Sequence, residues 1–466
     1  MSAQRQKRRN VSLLPLGILL VAFAIRIAVF DAIAHYPERF LQPDSHGYHR
    51  LAVNLVEQHR FGTLSETGDW QPEVNRTPLY PAFLALDYVL LGAKSPTGAV
   101  LVQILVSTLT VALAYRLGKL WGGRRVGVLV ALVLSVEVGS VIYASQLMTE
   151  TLFNCVLTAS TLLWSLALRR RRWTYACVAG GLLGLGALVR PVLFYFGPVA
   201  AFLAWLLGPR RDRRRWQIAL ALLAAFALVI APWMARNHTL TGRAELSTIQ
   251  ARNLVHYNLV QLRASLQGVS FSTASADLSQ EMQQEMADIP QNPGSLAGYY
   301  QHKAFSEIRA HPVEYLAVHL KGSLLFFVIP TVSTVARALG WVRTTRTGLL
   351  ANLMSRGLGD TWRAFQDFHQ QLSRFKSDDW LFFGTTGYEL LFLALVNLSA
   401  LWGAIKCLRA RRWDVLLLSV TAIAYFALVT GPVSYDARYR IPVTPFLVLL
   451  MAWGVARPHL SRRNVL

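Results

Sequence analysis

Charge is what this chain of 466 residues has least of: Asp, Glu, Lys and Arg make up only 15% of it, against 53% from the set AVILMFWYC. Soluble domains carry about 25% charged residues, so the shortage excludes an ordinary soluble enzyme and points to a membrane. Cysteine is scarce too. Cys155, Cys177 and Cys407 have no paired spacing, which excludes a disulfide framework and a cysteine-based zinc site. Acids are the rarer sign, 25 against 47 Lys plus Arg, for a net charge of +22. In a soluble protein that excess would suggest nucleic acid; here its location gives it another meaning.

What abounds is long apolar runs. A bilayer core of about 30 Å takes roughly 20 mostly apolar residues per helix. Ten such runs recur, at about 12–32, 100–118, 127–145, 151–168, 174–190, 192–208, 216–235, 381–403, 413–431 and 442–456. They are continuous rather than alternating, which excludes a β-barrel. The expected fold is an all-α polytopic membrane protein with about 10–12 transmembrane helices, in one membrane domain over 1–466.

Cationic loops stay on the cytoplasmic side. The clusters Arg5–Arg9, Arg116–Arg125, Arg169–Arg172, Arg210–Arg215, Lys406–Arg412 and Arg457–Arg463 hold 24 of the 47 cations, and all fall on one side when the ten runs cross in order. The basic excess is thus mainly a topology signal, with both termini expected in the cytoplasm. Segments 33–78 and 236–312 are mixed in charge and read as external. Ala32-Ile33-Ala34 after a basic, apolar start also fits a cleavable signal peptide, but the run is long for one and is taken as the first span. Residues 79–92 are too few to cross, and a crossing there would put every later basic loop outside; they are expected to lie on or dip into the outer leaflet. Residues 313–332 pose the same difficulty, and 333–380 is left as an unassigned connecting region.

The first external loop, 33–99 with its interfacial helices, carries the candidate site. Asp44 after Pro43 reads as an N-cap, and Tyr48, Leu51, Ala52 and Leu55 then recur on one helical face. Asp44 is either a plain cap or a reactive carboxylate. His46, His49 and His59 do not repeat a metal-ligand spacing, so no metal is expected. Arg76, where the loop re-enters the membrane beside Pro78 and Pro81, is either a snorkelling cation or a bidentate phosphate contact. Glu150, Arg190, Arg236, Arg438 and Arg440 sit at external ends of runs, and the four cations among them run against the positive-inside bias. An anionic ligand would account for them, and so would pairing among themselves, such as Glu150 with Arg190. Arg26, Asp87 and Glu137 fall deep in apolar runs and are expected to be structural partners inside the bundle. The segment 236–312, with the acidic stretch Asp277–Asp288, reads as a long external loop that covers the site or receives a ligand.

PDSHGY with its interfacial helix, RTPLYPAFLAL, LMTETLF, GLLGLGALVRP, PWMARN, EIRAHPVEYL and ARYRIPVTP stand in this order between residues 12 and 456. In that order they resemble bacterial glycosyltransferase family 39, in the GT-C superfamily near the protein O-mannosyltransferases and aminoarabinose transferases. The resemblance implies an enzyme of the cell (inner) membrane that takes a polyprenyl-phosphate-linked sugar as donor. Its site would face outward, its acceptor would be lipid, glycan or protein, and the anomeric carbon would invert; separately, no cofactor is expected, a divalent metal being an alternative that the sequence does not support. It matches Asp44 to the family's acidic residue and Arg76 to its basic one. Ser45 stands where many members carry a second acid, which puts a two-acid or metal-assisted version in doubt. The chemistry agrees: one carboxylate, Asp44, serves as base, and a phosphate leaving group needs cations rather than a general acid. Arg76, then Arg190, Arg438 and Arg440, are the candidates, with Tyr48, Glu150 and Arg236 as secondary scaffold or acceptor contacts. The rival reading is a transporter or flippase, but no internal repeat is visible and the notable charges cluster at one face.

Overall fold

The structure, a computed structural model, describes residues 13–65, 67–208, 212–290, 292–341, 377–431 and 436–456. The basic clusters at Arg5–Arg9 and Arg457–Arg463, and most of the connecting region 333–380, lie outside them. Helices form wherever an apolar run was read: α1 Leu14–Ala34, α4 Pro96–Gly122, α5 Arg124–Val136 and α6 Val138–Ala144, α7 Glu150–Arg170, α8 Trp173–Val189, α9 Phe196–Leu207, α10 Arg214–Thr241, α17 Ser377–Arg409, α18 Trp413–Thr430 and α19 Thr444–Val455. Among the described residues six of them, α1, α4, α7, α10, α17 and α18, are long and apolar enough to cross a bilayer, and α5 with α6 adds a seventh. The chain is thus a multi-pass helical membrane protein. The runs read at 174–190, 192–208 and 442–456 give shorter helices, the last two each beginning with a 3-10 turn, Pro191–Leu193 and Ala437–Val443.

The run 127–145 is not one straight span. It bends by 58° between α5 and α6, at Glu137, whose ψ of 118° leaves the helical region. The backbone groups freed by the break would cost several kcal/mol each in an apolar medium, and the deep charges read from the sequence satisfy them. Glu137 accepts from the N–H groups of Gly139 (3.0 Å) and Ser140 (2.6 Å), capping α6. Arg26 of α1 donates to the carbonyls of Leu134 (3.2 Å) and Ser135 (3.4 Å) at the end of α5, and to Ser107 Oγ at 2.8 Å. An acid at a helix start and a cation at a helix end also complement the two helix dipoles.

Small residues let the bundle close. A Cβ on Gly180 would lie 2.0 Å from the carbonyl oxygen of Leu222, and one on Gly184 3.0 Å from that of Phe226, so α8 meets α10 backbone to backbone. Near the site end, Tyr80 donates to Gln103 (2.6 Å), Gln103 to the carbonyl of Gln146 (2.7 Å), and Gln42 to the Gln146 side chain (2.5 Å). This buried amide chain pins the start of α2, Pro43–Glu57, to α4 and to the loop before α7. At the opposite end Arg169 comes within 3.9 Å of Asp414, which Arg412 holds at 2.8 Å, so two of the basic loops meet there.

Segment 236–312 is folded rather than a loop. Beyond α10 come α11 Ile249–Asn253, a π-helical turn Leu254–Leu259, α12 Val260–Gln267, α13 Phe271–Glu285 and α14 Pro293–Ala310. They enclose their own core of Val255, Leu259, Leu262, Leu278, Met282 and Ala304. Glu281 and Glu285, from the acidic stretch, pair with Arg263 and Lys303, and Arg263 also holds Glu307 at 2.8 Å. Helices α15, Pro312–Leu325, and α16, Val332–Leu339, return the chain to the bundle.

Candidate active site

Helix α2 is positioned by an arrangement the sequence reading missed. Its N-cap is Gln42, not Asp44: Ser45 Oγ accepts from the Gln42 backbone N–H at 2.8 Å, completing a capping box. Pro43 occupies the first helical position, where its missing N–H costs nothing. Asp44 is therefore released from capping and stands in the first turn. Helix α3, Leu79–Leu91, packs along α2 through the edge-on rings of Tyr48 and Tyr80, 5.0 Å apart, and a 2.7 Å hydrogen bond between His49 and Tyr88.

Asp44 meets two arginines. Arg438 Nη1 lies 2.8 Å from its Oδ2, and Arg76 Nη2 3.6 Å from its Oδ1. Burial by itself raises the Asp44 carboxyl, but Arg438 first, then Arg76 and Arg190, outweigh it and hold it below the usual carboxylate range. Burial and then the Asp44 charge push Tyr48 up to about 12, so its hydroxyl stays protonated beneath Arg76, whose guanidinium stacks 5.0 Å from the ring.

Of Arg76, Arg190 and Arg438, Arg76 is the most exposed. Its guanidinium donates no hydrogen bond among the described residues, while its backbone is fixed: Glu73 accepts from the N–H groups of Asn75 (2.6 Å) and Arg76 (3.0 Å). Gly47, one turn after Asp44, makes room for it, because a Cβ there would lie 2.5 Å from Arg76 Cζ. Arg190 donates to the fully buried Glu150 at 2.7 Å, the pairing foreseen as the alternative to ligand binding. It nonetheless still lines the cavity, as Glu150 does.

Asp44, Tyr48, Arg76, Glu150, Arg190 and Arg438 converge on one cavity of about 740 Å³. Two expected residues do not join them. Arg440 is buried in the bundle, donating to the Ile329 carbonyl at 2.5 Å and facing Glu389 at 3.7 Å, so it anchors the 3-10 turn that carries Arg438 rather than reaching a ligand. Arg236 donates to the Glu73 carbonyl at 2.8 Å and stacks 4.4 Å from Trp233, supporting the Arg76 loop from behind.

The roof of the cavity comes largely from segment 236–312, which was expected to cover the site, although none of its lining residues was singled out. The turn around residues 252–258 presents Arg252, His256 and Tyr257, and α15 adds Tyr315 and His319. Burial and then the Arg252 charge lower His256, so it faces the cavity as a neutral ring. The π-helical turn has no periodicity by which to read it, whereas Gly47 and Tyr439, which also lines the cavity, stand beside residues already singled out. The roof is tied to the Arg76 loop: Thr248 N–H donates to the Val74 carbonyl at 3.1 Å and its hydroxyl to Asn75 Oδ1 at 2.6 Å. Among the described residues no three His, Cys, Asp or Glu side chains come together as metal ligands.

The fold is that of the GT-C membrane glycosyltransferases. The chain superposes on the Archaeoglobus fulgidus oligosaccharyltransferase in its apo form with a TM-score of 0.53 at 15% identity, over 95% of this chain and 50% of that one. The same enzyme tethered with an acceptor peptide containing the NVT sequon gives 0.52 at 16% identity, over 95% and 49%. ArnT from Cupriavidus metallidurans bound to undecaprenyl phosphate is a more distant likeness, with a TM-score of 0.42 at 12% identity over 95% and 78%. The chain spans about half the length of the oligosaccharyltransferase structures. In sequence, residues 75–235 match the family described as dolichyl-phosphate-mannose-protein mannosyltransferase, a stretch that holds Arg76, Glu150 and Arg190 but neither Asp44 nor Arg438. Among curated proteins none matches the sequence.

Proposed function

We propose that this protein is a glycosyltransferase that moves a sugar, a hexose or pentose, from a polyprenyl-phosphate-linked donor to a lipid, glycan or protein acceptor. The observation that carries the reading is Asp44 held ionised between Arg76 and Arg438 at the edge of a cavity large enough for a sugar phosphate and an acceptor group. The match of residues 75–235 to a family named for a dolichyl-phosphate sugar donor supports it.

In this reading the acceptor hydroxyl or amine gives its proton to Asp44 and attacks the anomeric carbon from the side opposite the phosphate, inverting it. Arg76, with its N–H groups open, takes the phosphate first. Arg190 and Arg438 add charge as the bond to the leaving oxygen breaks, and cations already fixed in place stabilise that charge without reorganising. Glu150 holds Arg190, and Tyr48 backs Arg76. The cavity opens at the external face of the inner membrane, with both termini in the cytoplasm, and the step uses no cofactor. The roof over residues 249–258 is where the acceptor enters.

The test is transfer of labelled sugar from polyprenyl-phosphate donors by purified protein, with Asp44→Asn and Arg76→Ala beside wild type. Turnover that Asp44→Asn abolishes while donor binding persists supports the base. Transfer intact in Asp44→Asn removes that assignment, and donor binding without transfer in wild type favours a flippase.

A further inference from the structure

Tyr439 takes part in more of the cation network than any other aromatic ring lining the cavity, and nothing in the sequence singled it out. It sits between Arg438 and Arg440 in the 3-10 turn Ala437–Val443, where three residues complete a turn and consecutive side chains leave in three directions. Arg438 goes to Asp44 and Arg440 into the bundle, which leaves Tyr439 facing the cavity.

Two guanidiniums lie against its ring. Arg438 Cζ is 5.0 Å from the centroid and Arg190 Cζ 5.6 Å, within the range in which a cation is attracted by the electron-rich face. The two arginines come from segments far apart in the chain, the end of α8 and the 3-10 turn, and carry like charges, and the ring they share holds them at a defined spacing. Arg438 Nη2 also donates to the Tyr439 hydroxyl at 3.0 Å. That bond uses the oxygen as acceptor, so the hydroxyl proton still needs an acceptor, and among the described residues it has none.

Resting on the transferase reading, we propose that Tyr439 is a further donor contact: its hydroxyl donates to an oxygen of the lipid-linked phosphate, and its ring sets the spacing of Arg190 and Arg438 around that phosphate. A neutral donor polarised by an arginine adds a hydrogen bond without adding charge, and that bond strengthens as the leaving oxygen gains negative charge.

The experiment compares wild type, Tyr439→Phe and Tyr439→Leu for binding of undecaprenyl phosphate and for sugar transfer from a polyprenyl-phosphate donor, with thermal unfolding as a control. Tyr439→Phe keeps the ring, and it is expected to unfold like wild type while binding the lipid phosphate and turning over about 10-fold less well, the effect of one hydrogen bond to a charged group. Tyr439→Leu loses more, and adding Arg190→Gln to it costs less than Arg190→Gln costs alone, because the ring that oriented Arg190 is already gone. Binding and turnover unchanged in Tyr439→Phe beside an active wild type overturn the hydroxyl contact alone. Equal losses from Arg190→Gln in the two backgrounds overturn the spacing role, and a wild type that neither binds the lipid phosphate nor transfers sugar overturns the transferase reading with it.

Discussion

Arg438 Nη1 rests 2.8 Å from Asp44 Oδ2, although 394 positions of chain separate the two residues. The contact joins the first turn of α2 to the 3-10 turn before the last described helix, and it keeps a partly buried carboxylate charged. Without such a partner, burial pushes a carboxyl toward its neutral form, in which it accepts no proton.

The first prediction concerns pH. A base works deprotonated, and Asp44 has its pKa lowered by Arg438 against the opposing effect of burial. The acid limb of kcat/KM in wild type should therefore lie below the usual carboxylate range of about 3.9. Arg438→Gln removes the leading cation and leaves burial in place, so the limb should move to higher pH. An acid limb at the same pH in both proteins rules out Asp44 as the titrating base.

Asp44→Asn keeps the shape of the carboxylate and removes its basicity. The chemical step should slow by about 100-fold to 10,000-fold, the range that general-base catalysis contributes. Arg76 and Arg438 lose their shared anion and become freer, so binding of a polyprenyl phosphate should hold or tighten. Single-turnover rates and lipid-phosphate binding on the same sample separate the two effects.

Gly47→Ala should split stability from activity. Alanine in a helix interior is favoured over glycine by about 0.5–1 kcal/mol, yet its Cβ would fall within 2.7 Å of three guanidinium atoms of Arg76. The side chain moves because it is long and flexible. The unfolding midpoint should hold or rise while the donor KM climbs about 10-fold, as for a lost charged hydrogen bond. An unchanged KM would show that Arg76 reaches the donor from another position.

Arg440 and Arg438 are two positions apart and should fail differently. Arg440→Ala leaves Glu389 buried at 1% exposure without its cation, a loss of about 3–5 kcal/mol when one partner of a buried pair is removed. Arg440→Met combined with Glu389→Gln should recover most of that in thermal unfolding. Arg438→Gln, on the cavity side, should unfold near wild type and lose activity. If both single variants unfold alike, the two arginines do not divide the labour in this way.

Much of this was legible in the chain. Membrane helices were readable because a lipid environment forces each crossing to satisfy its own backbone, which leaves a continuous apolar run as its trace. Arg26 and Glu137 were readable as structural partners because a charge is costly in hydrocarbon. Asp44 and Arg76 stood out through short-range cues: a helix start, and a cation at the membrane edge.

What the chain could not declare was which charges meet. Arg190, Arg438 and Arg440 looked alike as cations at span ends, and only packing sent Arg438 to Asp44, Arg190 to Glu150 at the cavity wall, and Arg440 inward to Glu389. Asp44 looked like a cap until Gln42 and Ser45 took that role. Segment 236–312 looked like a loop because its helices are amphipathic and short, and their core exists only once α12, α13 and α14 close on one another. Local composition decides whether a segment enters a membrane, since that depends on each residue's own transfer energy. The site depends on distances between side chains far apart in sequence, and those are set only by the folded bundle.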